Sequence, residues 1–164
     1  MTEQVTEADL PHLRRCVELA TEAVEAGDFP FGSVLVAVDG TVLAEDRNRE
    51  VTTGDPTRHP EFALARWAAT NMPPSERAAA TVYTSGEHCP MCAAAHGWAG
   101  LGRIVYATSS QQLGGWLADL GWTPRYDFRS VLDALAAGEE PSSPLARAIG
   151  AKGYHDKPTG VYTT

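Results

Sequence analysis

A chain of 164 residues with 43% hydrophobic and 21% charged side chains has the size and make-up of one compact domain, which excludes a largely disordered protein. The net charge of -8 and the pI near 5.0 oppose a polyanionic partner, because nucleic-acid affinity comes from Lys and Arg neutralising phosphates. No apolar run reaches the roughly 18 residues of a membrane-spanning helix, and the acidic, polar start MTEQVTEADL does not read as a secretory signal, so a cytoplasmic placement is expected.

In chain order, residues 7–26 place Leu10, Leu13, Val17, Ala20 and Val24 at alternating three- and four-residue steps, the stripe of an amphipathic helix. Thr6 followed by Asp9 is a capping signal at its start, and Cys16 beside the stripe reads as a small core or flanking residue. GSVLVAVDGTVLAED then gives two short Val- and Leu-rich runs joined by Asp39-Gly40, a hairpin signal. The chain turns polar in RNREVTTGDPTR, where Gly54, Asp55 and Pro56 mark a loop. HPEFALARWAAT reads as a helix with Pro60 in its first turn, ATVYTS as a strand, CPMCAAAHGWAG as a helix opened by Pro90, and RIVYAT as a further strand. This alternation predicts a mixed sheet with helices on both sides. Beyond Gln111, DFRSVLDALAAG and SPLARAIGAKG predict two more helices and a polar tail. No repeat or linker divides the chain, so residues 1–164 read as a single domain.

Three cysteines are too few and too unevenly placed for a disulfide framework, and a close C-x-x-C pair in a reducing compartment points to metal binding or redox work. Cys89 at a helix N-cap and Cys92 at the third helical position both face unpaired N–H groups and the positive end of the helix dipole, which favours thiolates. Zinc needs at least a third protein ligand. His59, at the start of its own helix beside Glu61, is the strongest candidate. His96, one helical turn after Cys92, and His88, adjacent to Cys89, are the alternatives that would close a four-ligand structural site. Three ligands would leave a position for water, whose pKa zinc lowers to roughly 7, and Glu61 would move the protons. A structural site leaves Glu61 without a task, and a redox pair leaves His59 idle.

The combination H-x-E, some thirty residues, then C-x-x-C resembles the signature of zinc-dependent nucleobase deaminases. DFPFGSVLVAVDGTVLAEDRN, VTTGDPTRHPEFALAR and YTSGEHCPMCAAAHGWAGLGRIVYA together resemble the cytidine deaminase superfamily, in the branch with guanine, cytosine and tRNA adenosine deaminases. The resemblance implies a three-layer α/β/α sandwich with a five-stranded mixed sheet, assembled as a dimer or larger homo-oligomer. It implies Zn2+ held by His59, Cys89 and Cys92, with Glu61 as proton shuttle. It further implies substrate contacts from Asn48, Phe31, Gly32 and Trp98. Two positions depart from the family's pattern, Pro60 after the histidine and His88 before the first cysteine; His88 would set a titratable donor beside the metal site and bear on substrate choice, so it joins the expected substrate contacts. The expected reaction is hydrolytic deamination of a free nucleobase, with TTGDPT favouring guanine or a related aminopurine. Cytosine, an aminotriazine or a nucleoside is the alternative substrate, a tRNA adenosine is disfavoured by charge, and a structural zinc module is the rival from outside enzymology. The segment 109–164 is expected to help close the site, with Tyr154 or His155 as candidates.

Overall fold

The computed structural model describes residues 5–121 and the backbone of 160–162. The described chain runs α1 (Leu10–Glu25), β1 (Gly32–Val36), β2 (Val42–Arg47), α2 (Glu50–Thr53), α3 (Pro60–Asn71), α4 (Pro74–Ala79), β3 (Thr81–Gly86), α5 (Pro90–Ala99), β4 (Arg103–Thr108) and α6 (Ser110–Asp119). The strands stand in the order β2-β1-β3-β4, and Gly160–Tyr162 (β5) pairs antiparallel outside β4. β1 is antiparallel to both β2 and β3, whereas β3 and β4 are parallel and joined through α5, so the sheet is mixed. Among the described residues no helix is long and apolar enough to cross a membrane.

Period-two alternation divides the sheet between two cores. Val34 and Val36 of β1, Tyr83 and Val105 meet Leu13, Cys16 and Leu19 of α1 on one face. Leu35, Val82 and Leu101 meet Leu64, Ala65 and Ala68 of α3 and Ala99 of α5 on the other. Each fully buried Leu or Val contributes roughly 1.5–3 kcal/mol. β1 is buried along its whole length, which accounts for its near-continuous apolar run.

The α1 stripe differs from the expectation. The buried residues are Leu13, Cys16, Leu19, Ala20 and Ala23, while Val17 and Val24 are about half exposed. The cause is a close approach to β1: a β-carbon at Gly32 would fall onto Leu19 Cβ and lie 2.5 Å from the Cys16 carbonyl oxygen. The turn of α1 through Cys16, Leu19 and Ala20 lies directly against Gly32, so the helix carries these residues and Ala23 toward the sheet and its valines outward. Cys16 is fully buried, as the core reading required, and burial pushes its thiol well up.

Three helical pieces were not expected. α2 is one turn inside the polar loop, ended by Gly54 at φ 66°. α4 is a short helix before β3. α6 forms despite Gly114-Gly115 because Ser109 and Gln112 make a capping box, the Ser109 hydroxyl accepting from Gln112 N–H and the Gln112 side chain accepting from Ser109 N–H. The helices expected at DFRSVLDALAAG and SPLARAIGAKG, with Tyr154 and His155, lie outside the described residues.

Candidate metal centre

His59 is the N-cap of α3 and Cys89 the N-cap of α5, each followed by proline at the first helical position. Proline suits both because the N–H it lacks would have no intrahelical partner there. The two helices pack together on one face of the sheet, so their N-termini bring the imidazole to the sulfurs. His59 Nδ1 lies 3.6 Å from Cys89 Sγ and 3.6 Å from Cys92 Sγ. Tetrahedral zinc with ordinary Zn–N and Zn–S bonds separates its nitrogen and sulfur ligands by about 3.6 Å. The donor set, its soft sulfurs and its spacing therefore fit Zn2+. Among the described residues this trio is the group of His, Cys, Asp and Glu able to hold a metal.

Burial and neighbouring charge act differently on the two cysteines. The Cys92 hydrogen bond, opposed by burial and helped by His59, holds the Cys89 thiol down at about 4, whereas burial pushes Cys92 up. Burial tends to lower His59, but the Cys89 hydrogen bond and the charges of Cys89, Glu61 and Glu50 outweigh it and hold the imidazole at about 9. Metal uptake at this trio accordingly displaces protons.

Glu61, in the first turn of α3, is buried beside the trio; Cys92 Sγ donates to its Oε2 at 3.6 Å. Its Oε1 accepts from the Thr84 hydroxyl at 2.8 Å, and Thr84 Oγ1 accepts in turn from Ser33 Oγ at 2.9 Å. Burial raises the Glu61 pKa against the Thr84 hydrogen bond. Ser33 and Thr84 are register partners on β1 and β3, on the same face as Leu35 and Val82. The alternation that buries the apolar residues thus delivers two hydroxyls beneath the carboxylate. The spacing of each strand carried this signal, but it required knowing that the strands pair.

The loop after β2 forms the other wall. The Asp28 carboxylate, buried between elements, accepts from Thr52 N–H and hydroxyl at 2.8 Å each and from Arg47 Nη1 at 3.0 Å, pinning the loop from both sides of Asn48. Asn48 is fully buried, and its N–H donates to the Phe31 carbonyl at 2.9 Å. Its side-chain Nδ2 donates to Glu50 Oε1 at 2.7 Å and its Oδ1 accepts from Glu50 N–H at 3.0 Å. The same Glu50 oxygen lies 3.0 Å from His59 Nε2. Sequence reading passed over Glu50, Asp28, Ser33 and Thr84, since each is connected through a partner distant in the chain or hidden in a polar loop.

The other expected contacts are distributed differently. The Phe31 ring lies over Gly86 of β3, where a β-carbon would sit 3.0 Å from it. Gly32 turns its open side to α1, where it permits close helix–strand packing. Trp98, on α5, is 88% exposed. His88 is 2% exposed with its ring edge-on to His96 at 5.4 Å. His96 Nε2 is 2.9 Å from the Gly102 carbonyl oxygen, which ties the end of α5 to β4. Neither histidine joins the metal trio, so the closed four-ligand structural site has no fourth ligand among the described residues.

Residues 6–108 match the family described as the cytidine and deoxycytidylate deaminase zinc-binding region. The chain is 42% identical over 120 residues to a guanine deaminase of Bacillus subtilis (strain 168), covering 73% of this chain and 74% of that one. The solved structure of a Bacillus subtilis guanine deaminase superposes with a TM-score of 0.59 at 27% identity, over 93% of this chain and 98% of that one. A probable cytosine deaminase of Schizosaccharomyces pombe is 32% identical over 67% of this chain and 66% of its own length. A tRNA-specific adenosine deaminase of Haemophilus influenzae is 32% identical over 66% and 63%. With the matching region spanning both helix N-termini and the carboxylate between them, the chain belongs to the cytidine and deoxycytidylate deaminase family and is a zinc-dependent hydrolytic deaminase.

Proposed function

We propose that this chain deaminates a free amino-substituted nucleobase, guanine or a related aminopurine, releasing ammonia and leaving the oxo base. The observation that carries the mechanism is Glu61: a buried carboxylate beside the His59, Cys89 and Cys92 trio that is not one of its three ligand donors. The choice of base is supported by the 42% identity to a guanine deaminase.

His59 Nδ1 and the two cysteine sulfurs would hold zinc, which would supply a Lewis acid able to lower the pKa of water toward about 7. Glu61 would take a proton at Oε2 from the attacking water and deliver protons to the ring nitrogen and then to the leaving amine, the C–O bond forming and the C–N bond breaking with release of ammonia. Its raised pKa suits a group that must hold a proton between those transfers. Thr84, with Ser33 behind it, holds Oε1 and leaves Oε2 for this work. Asn48, locked in the loop pinned by Asp28, offers its remaining amide hydrogen and lone pair to the edge of the base, and Phe31 bounds the ring.

Cytosine is the second reading, supported by the cytosine deaminase relative. A tRNA substrate is disfavoured by the net charge of -8. The reading extends to the whole chain as one deaminase domain, with Gly160–Tyr162 as fifth strand, segment 109–164 helping to close the site, and a dimer as the working form in the cytoplasm. The test is ammonia release by the zinc-loaded protein across guanine, isoguanine, adenine, cytosine, ammeline, their nucleosides and a tRNA, with Glu61→Gln as blank. A guanine signal that disappears in the variant supports the proposal; cytosine as the one strong substrate replaces guanine with the second reading; silence across the panel overturns both.

A further inference from the structure

Glu50 is the first residue of a single helical turn inside a polar loop, where a carboxylate would ordinarily be a solvated group. Its side chain is only 18% exposed, and Oε1 is shared between two partners, His59 Nε2 at 3.0 Å and Asn48 Nδ2 at 2.7 Å. Its own N–H returns to Asn48 Oδ1 at 3.0 Å, so both ends of the Asn48 amide are engaged by one residue. A carboxylate accepts and does not donate, so the hydrogen in the His59 contact belongs to Nε2. Nδ1 is thereby turned to the sulfur side of the ring, where the metal donors converge and where metal uptake would displace its proton.

We propose that Glu50 is a positioning residue of the metal centre: its Oε1 holds His59 in the tautomer and orientation that present Nδ1 to zinc, and ties the Asn48 amide to the same point. A carboxylate behind a ligand histidine fixes ring orientation and raises the basicity of the ligand nitrogen, so its removal weakens metal binding. The Asn48 half of the inference rests on the reading of that residue as a base contact; the His59 half rests on zinc alone. Loss of Glu50 frees the imidazole to rotate and leaves the buried Asn48 amide without the partner of its Nδ2.

The test measures Zn2+ affinity by competition with a chromophoric chelator for the unaltered chain, Glu50→Ala and Glu50→Gln. It also records the ligand-field spectrum with Co2+ and the melting temperature of each protein with and without metal. Glu50→Ala is expected to bind zinc roughly 10–100-fold more weakly, with a shifted Co2+ spectrum. Glu50→Gln keeps an acceptor oxygen for His59 without the charge and is expected to fall between the two. If Glu50→Ala does not fold, Glu50→Gln decides: weaker zinc binding supports the proposal and an unchanged value overturns it. Unchanged zinc affinity in both variants, with only the metal-stripped melting temperature lowered, also overturns it, because Glu50 would then serve the loop alone. The readout is metal affinity, so its failure is separate from failure of the proposed reaction, which ammonia release with Glu61→Gln reports.

Discussion

Two carboxylates are almost completely buried on opposite faces of the sheet, Asp9 at 2% and Glu61 at 5% exposure, and their environments push them in opposite directions. Asp9 receives Arg103 Nη1 on Oδ1 at 2.6 Å and Nη2 on Oδ2 at 3.0 Å, the Tyr83 hydroxyl at 2.8 Å and Thr6 N–H at 2.7 Å. Burial alone would raise its pKa, but these donors outweigh it, led by the Arg103 guanidinium, and hold the carboxyl well below its usual range. Glu61 has a neutral hydroxyl as its partner and cysteine sulfur nearby, and burial raises it. A buried carboxylate given a cation is a permanent charge that ties α1 to β3 and β4. One whose hydrogen-bond donor is a neutral hydroxyl, with burial the dominant influence, can exchange protons, and it lies beside the metal trio.

The sharpest way to break this contrast is at Glu61. Glu61→Gln is expected to cut ammonia release by about 10²–10⁴-fold while zinc stays bound at one per chain, measured by deaminase assay and metal analysis. Undiminished turnover would put the proton transfers elsewhere. At the opposite pole, Asp9→Ala removes the buried carboxylate that Arg103, Tyr83 and Thr6 share and is expected to cost about 3 kcal/mol, or roughly 6–12 °C in Tm, with zinc affinity unaltered. The sign of the pH dependence follows from the depressed pKa. The Asp9 contribution is present above the unfolded value near 3.9 and is lost as pH falls toward the folded value, so acid unfolding of the unaltered chain steepens below about pH 4. Asp9→Asn is expected to flatten that limb in an acid titration followed by circular dichroism.

Smaller effects sharpen the comparison between the faces. Gly32→Ala drives a methyl group into Leu19 and the α1 backbone and is expected to cost roughly 1–3 kcal/mol, read from the urea midpoint. If it instead raised the Michaelis constant with stability intact, Gly32 would line the pocket after all. Trp98→Ala, at an 88% exposed position, is expected to change stability by less than about 0.5 kcal/mol.

The residue pattern alone put Cys89 and Cys92 on one helical turn and set the order of the main elements, because each rests on local geometry: proline after an N-cap, two residues between the cysteines, alternation along a strand. The choice of His59 over His88 and His96, and the task of Glu61, came from the resemblance to the deaminase signature. The pattern determined only part of which side of α1 is buried: Leu13 and Ala20 of the expected stripe face the core, but Val17 and Val24 give way to Cys16, Leu19 and Ala23, which the close approach at Gly32 turns inward. Nor did it separate Trp98 on the outside of α5 from His88 in the packing beneath, or give Asp9 a partner 94 positions away. Only the tertiary structure turned Glu50 from a loop charge into the residue behind His59, and placed Ser33 and Thr84 under Glu61. Chemistry carried by neighbours along the chain is written in their spacing, whereas a hydrogen bond between distant segments exists only once the sheet register and helix packing have chosen which side chains face each other.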